Sequence, residues 1–195
     1  MKRASRFLPI LLPVAVVFLF CLPGNFWIAG NADAQEKASR SLPAAEMQRL
    51  AQFYAGTWDY TEIYPKSASS PEGAQNTGVY TSEAGPGGNS LVNRFRSHGP
   101  VGDFEGMLVM TWDPKEKAYK EYVFGNGFTG AIIETGQWEG DTLVYRGEFP
   151  AGAMKVEMRN ATKLTGPGKM VSEQFSSANG APEALLVRVE ATKRP

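Results

Sequence analysis

From Gly56 to its C-terminus this chain is a succession of short runs of mixed apolar and polar residues, each ended by glycine, proline or asparagine, with no helical pattern among them. Ten runs have strand character: Thr57 to Tyr64, Thr77 to Glu83, Ser90 to Arg96, Phe104 to Trp112, Tyr119 to Phe124, Ala131 to Trp138, Leu143 to Phe149, Met154 to Thr162, Met170 to Phe175 and Ala184 to Ala191. The breaks are tight-turn signals: Gly85-Pro86-Gly87-Gly88, Asp113-Pro114 opening a type I turn, Glu139-Gly140-Asp141 as a short hairpin, Asn179-Gly180. A ten-stranded open sheet leaves two long edges exposed, whereas closure removes them. The expected fold is therefore all-β: a single antiparallel up-and-down β-barrel of about ten strands over residues 42–195, with one short N-terminal helix.

Alternation supports this and assigns faces. In the first run Trp58, Tyr60, Glu62 and Tyr64 share one side, and the aromatic side is expected to point inward. Gly56 lets the chain turn sharply into that strand. Met154, Val156 and Met158 oppose Lys155, Glu157 and Arg159, while Leu185, Val187 and Val189 oppose Arg188 and Glu190. The run Met107 to Trp112 is apolar on both faces, so its outer side is expected to lie under the helix. Residues 66–77 read as a long loop.

The N-terminus has a different character. Lys2, Arg3 and Arg6 precede an apolar run from Phe7 to Phe20, and Ala32-Asp33-Ala34 supplies a small-x-small site, which together read as a secretory signal over residues 1–34. The run is interrupted by Pro9 and Pro13 and is shorter than the roughly 20 residues that span a bilayer. The expectation is export to a periplasm or the exterior, with no transmembrane segment left after cleavage. The sole cysteine, Cys21, falls inside that leader, so the mature chain would have neither disulfide nor thiol chemistry. Acidic and basic residues balance, which gives nucleic acid nothing to bind. After a polar linker at 35–41, the segment Ser41 to Tyr54 reads as a helix capped by Ser41 or a neighbour, with Pro43 in its first turn and Met47, Leu50, Ala51 and Tyr54 as its apolar stripe.

Several motifs together resemble a known group. Leu50 and Tyr54-Ala55-Gly56-Thr57-Trp58-Asp59-Tyr60 are followed by Gly102, Gly106, Thr111-Trp112-Asp113-Pro114 and Tyr119, then by Gly136-Gln137-Trp138-Glu139-Gly140. This combination is similar to the DUF1579 family, bacterial proteins placed beside the calycin barrels (lipocalins, fatty-acid-binding proteins, nitrobindins). The resemblance spans about Pro43 to Lys193 and rests on glycines, turns and tryptophans, so it implies a fold more than an activity. It implies that Trp58 plugs one end of the barrel.

The residues offer little for catalysis. A Ser-His-Asp or Cys-His arrangement would need the only histidine, His98, which sits beside a turn. One histidine and no mature thiol make a poor zinc site. Asp103 and Glu105 lie two apart on one strand face, the ordinary pattern of a charged outer surface. Glu62 with Glu134 or Glu121 could form a carboxylate pair across a barrel, as glycoside hydrolysis requires. Haem is a rival suggested by the nitrobindins, which ligate iron through a histidine near the C-terminal end of the barrel; residues 168–192 contain none, leaving His98 or a methionine such as Met154, Met158 or Met170. The favoured expectation is an exported binding protein, without cofactor, holding a small hydrophobic or amphipathic ligand contacted by Trp58, Tyr60, Tyr80, Tyr122 and Trp138. Arg94 shares a face with Arg96 and Val92, and were that face interior it would hold an acidic head group. The alternative is a cell-envelope interaction module with a filled barrel.

Overall fold

Each strand satisfies its amides on the next strand in sequence, and the first and last strands satisfy theirs on each other. The computed structural model describes residues 44–67, 71–151 and 154–195; the segments read as leader (1–34) and linker (35–41), with Ser41 and Pro43, lie outside them. The order is α1 (Ala45–Tyr54), β1 (Gly56–Tyr64), β2 (Ala74–Ala84), β3 (Ser90–His98), β4 (Phe104–Asp113), β5 (Ala118–Gly125), β6 (Ile132–Glu139), β7 (Thr142–Ala151), β8 (Met154–Gly166), β9 (Lys169–Ala178) and β10 (Ala184–Lys193). All neighbours are antiparallel, and β1 closes on β10 from Trp58↔Lys193 to Ile63↔Arg188. The result is a closed ten-stranded barrel.

The turns are those the sequence signals. Asp113 accepts the amides of Lys115 and Glu116 at 2.8 and 3.1 Å, tying down the β4–β5 turn. Gly56 has φ of 118°, a value that penalises any Cβ, and takes the chain from α1 into β1. The outer surface carries charge in ion pairs: Arg159 of β8 with Glu183 of the β9–β10 connection at 2.7 Å, and Lys155 with Glu148 across to β7 at 3.0 Å and with Glu157 along its own strand at 2.9 Å. Exposed pairs of this kind add little stability each.

Helix α1 closes one end. Its Met47, Leu50, Phe53 and Tyr54 are buried against Trp58, Leu91, Met110, Tyr119, Leu143 and Tyr145 from the strands. Trp58 is buried beneath it, donates its indole N–H to the carbonyl of Tyr54 at 2.8 Å, and stacks on Tyr80 with ring centres 5.7 Å apart.

Four expectations are corrected. The N-cap is Ala44, with no side-chain cap, its carbonyl accepting from Met47 and Gln48. Strand β2 begins at Ala74 and its register runs to Tyr64↔Ala74, which shortens the supposed 66–77 loop. A register shift between Leu185 and Val187 breaks the alternation of β10, so Leu186, not Leu185, reaches the barrel interior. Finally, α1 does not cover the outer side of β4. Its apolar stripe is used up on the barrel's end, and in the outward row Val92, Val109, Tyr122 and Ile133, neighbours across β3 to β6, the first three are half-buried and Ile133 is 55% exposed.

Candidate functional site: the barrel cavity

Between the aromatic floor under α1 and the opposite rim, the barrel encloses a cavity of about 390 Å³. Its wall is mainly apolar, with Phe95, Leu108, Val123, Phe149 and Val189 among the contributors. Near the rim stand Phe128 and Phe149, edge to face at 5.8 Å, and Leu186, 44% exposed.

Small residues in the strands make space for large inward side chains. A Cβ on Gly78 would come within 2.4 Å of the Tyr60 ring, and one on Gly147 within 2.8 Å of Cγ of Glu134. In each case the glycine is the cross-strand partner of the side chain lying over it. These side chains therefore lie along the wall and leave the centre hollow.

The polar part of the wall is concentrated on two neighbouring strands. Glu121 of β5 and Glu134 of β6 are directly opposite in the ladder and in hydrogen-bond contact, and both are buried. Burial raises both carboxyls above their ordinary range, and the charge of Glu134 raises Glu121 further, so the pair holds a proton between its two members to higher pH than a free glutamate would. Tyr54 from α1 and Tyr145 from β7 face the pair, and their phenols are themselves pushed up, chiefly by burial. Among the described residues no Lys, Arg or His lines the cavity.

Other polar groups are mostly tied to one another. Thr162 donates to Ser172 at 2.9 Å and Ser172 to Asn160 at 2.6 Å, so the Asn160-Ala161-Thr162 sequon points its polar residues inward. Glu62 accepts from Tyr64 and from Ser97, both at 3.0 Å. Tyr60, beside Glu62, is raised to about 12, mainly by burial. Asn93 is different: it lines the cavity, is 3% exposed, and its Oδ1 has no partner.

The six residues picked from sequence fall in three places. Tyr60 and Tyr80 line the cavity, and the Tyr80 hydroxyl donates to the sulfur of Met170 at 3.8 Å. Trp58 and Trp138 belong to the capped end rather than the cavity wall: Trp58 forms the floor, and Trp138 packs against Phe53 at 5.0 Å, under the guanidinium of Arg49, with its N–H donated to Tyr119. Arg94 and Tyr122 are on the outer face, Arg94 exposed beside Arg96. Their strands present the other parity inward, namely Asn93 and Phe95 in β3, Glu121 and Val123 in β5. Sequence reasoning considered Glu121 and Glu134 only as partners for Glu62 across the barrel, and it missed Asn93. The signal for Glu134 was present: it is four residues before Trp138, so an inward tryptophan implies an inward glutamate.

His98 is exposed at the end of β3, while the methionines that reach the cavity are Met110, Met158 and Met170, with Met154 exposed on the surface. Among the described residues no three His, Cys, Asp or Glu side chains gather to hold a metal ion, and no helix is long and apolar enough to cross a membrane.

A meander closed by its own first and last strands, floored by the tryptophan that opens the first and hollow behind it, is a calycin-like barrel. The chain belongs to the DUF1579 family, whose model, described as a protein of unknown function, matches residues 42–193. Two solved structures share the fold. An S-type phycobiliprotein lyase, CPES, from Guillardia theta is 8% identical with a TM-score of 0.53, covering 82% of this chain and 97% of that one. Rv2717c from M. tuberculosis is 15% identical with a TM-score of 0.56, covering 78% of this chain and 99% of that one. No curated protein matches the chain.

Proposed function

We propose that this protein is an exported binding protein that holds one small hydrophobic or amphipathic molecule inside its barrel. The observation that carries this reading is the cavity of about 390 Å³, apolar over most of its wall and provided with a few convergent polar groups. A barrel with packing as its sole purpose would fill that volume, because voids of this size cost stability. Export is supported by the charged, apolar and small-residue pattern of residues 1–34. Protein recovered from the source cell's envelope or medium should have a mass beginning at Gln35; a mass that includes residues 1–34 would overturn export.

The test of binding is titration with the uncharged fluorophore N-phenylnaphthylamine. The native protein should enhance its emission, and Val123→Trp, which fills the cavity from its wall, should abolish the enhancement while the unfolding midpoint is kept. Equal enhancement by both proteins would mean that the dye sits elsewhere, and the cavity reading would fall.

A second reading, an interaction module of the envelope, draws support from the uncovered outer row Val92, Val109, Tyr122 and Ile133. Ile133→Lys separates the two: it should leave dye binding intact and disrupt only association through that face.

A further inference from the structure

The charge balance of the cavity narrows the chemistry of its occupant. Among the described residues three carboxyl side chains, Glu62, Glu121 and Glu134, contribute to its lining, and no basic side chain does. Glu62 is occupied by the hydroxyls of Tyr64 and Ser97. Glu121 and Glu134 have chiefly each other, side by side on adjacent strands and 2% and 7% exposed. A carboxyl pair buried this deeply without a cation is costly to ionise, and packing alone would be served better by apolar residues. A second group in the same cavity is also left open: the Oδ1 of Asn93, 3% exposed and without a donor. An acceptor buried without its donor costs about 1–3 kcal/mol. The pair calls for positive charge and Asn93 for a hydrogen-bond donor, and a protonated amine is both.

We propose that the cavity selects organic cations, molecules with an apolar body and a protonated amine, the body lying against Leu108, Val123 and Val189 and the ammonium on Glu121 and Glu134. This rests on the binding reading above and specifies its ligand. A fatty acid or other anionic amphipath is rejected, because its head would meet two carboxyls and find no base. The surroundings of the pair are consistent. Tyr54 comes from α1, Tyr145 from β7, Met110 from β4 and Thr162 from β8; the two titratable groups among these are phenols held neutral by burial, so they add no competing charge. Protons and the ligand's cation compete for the same carboxyls. Affinity should therefore rise with pH through the range in which the pair ionises, while an alkylammonium keeps its own charge.

The experiment is calorimetric titration of the full chain with three probes of equal length, octylammonium, octanol and octanoate. Octylammonium should bind about ten- to a hundredfold tighter than octanol, the worth of a charge-assisted hydrogen bond, with octanoate weakest. In the double variant Glu121→Gln, Glu134→Gln the advantage of octylammonium over octanol should vanish while octanol still binds. The native protein alone supplies a second readout. Octylammonium affinity should increase as pH rises above the ordinary glutamate value, with protons released in proportion in buffers of different ionisation heat, whereas octanol affinity stays flat. If octanol equals octylammonium, or octanoate binds tightest, the cation proposal is overturned and the cavity reading stands. If none of the three binds, both are overturned.

Discussion

The two ends of the barrel are built on different plans. At the end under α1, the β4–β5, β6–β7 and β8–β9 connections are tight turns, and three of the large rings have their polar atoms bonded, Tyr145 being the exception. Trp58 bonds to the carbonyl of Tyr54, Trp138 to Tyr119, and Tyr119 in turn to the carbonyl of Glu46 at 3.0 Å. At the other end the loops after β1, β3, β5 and β9 are longer, and the rim includes Phe128, Phe149 and the exposed Leu186, with no helix of the described residues over it. The first end is a packed core and the second an entrance. The same strands serve both because alternation puts every second residue inward along their length, so a strand carries floor, wall and rim in succession. In β6 these are Trp138, Glu134 and Ile132.

That contrast can be broken by substitution. The largest effect is expected at the floor: Trp58→Ala removes the largest of the fully buried side chains and should cost about 3–5 kcal/mol in denaturant unfolding. A loss below about 1 kcal/mol would show that α1, rather than the tryptophan, supports that end. Next is the wall. Gly147→Ala places a Cβ 2.8 Å from both the carbonyl of Ile133 and Cγ of Glu134, and should cost about 1–3 kcal/mol while separating Glu134 from Glu121. An unchanged unfolding midpoint would mean that Glu134 does not lie against that glycine.

The carboxyl pair sets a pH dependence of definite sign. Both groups titrate higher when folded than the ordinary 4.5, so between that value and their folded values the native state holds more protons than the unfolded chain. Their contribution to stability is full below about 4.5 and is lost as pH rises through the folded values. In Glu121→Gln this decline should flatten; an identical pH profile would remove the pair from the cavity wall. The smallest effect belongs to the rim, where Leu186→Ala should change stability by less than about 0.5 kcal/mol. A cost like that of Trp58 would make the two ends equivalent and the entrance illusory.

How much of this could be read from the sequence follows the same division. Turn residues and alternation marked all ten strands, and the edge problem of so long a meander called for closure. The helix stripe and Trp58 located the floor. The cavity was harder, because the expectation that aromatics face inward fails where both parities are apolar. In β5 that expectation selects Tyr122, yet the inward residues are Tyr119, Glu121 and Val123; Glu121 is tolerated there because Glu134 shares its proton. In β10 one extra residue at Leu186 reverses the pattern locally, and no composition signal marks it. Arg94 is outside for the same reason of parity, since Asn93 and Phe95 take the inward places. Burial of a polar pair depends on what stands across the ladder, which spacing along one strand does not reveal.

The seam between β1 and β10 also governs how the molecule comes into being. Trp58 pairs with Lys193, and Arg194 reaches Asp59 at 2.6 Å across a sequence separation of 135 residues, almost the whole domain. Every other strand pair can form between immediate neighbours as a hairpin, but this one requires the chain's two extremes to meet, the slowest kind of contact for a polypeptide to make. Until it forms, β1 and β10 are each unpaired along one side, so the interval between synthesis of the first strand and arrival of the last is when the chain is most open to pairing with another copy of itself.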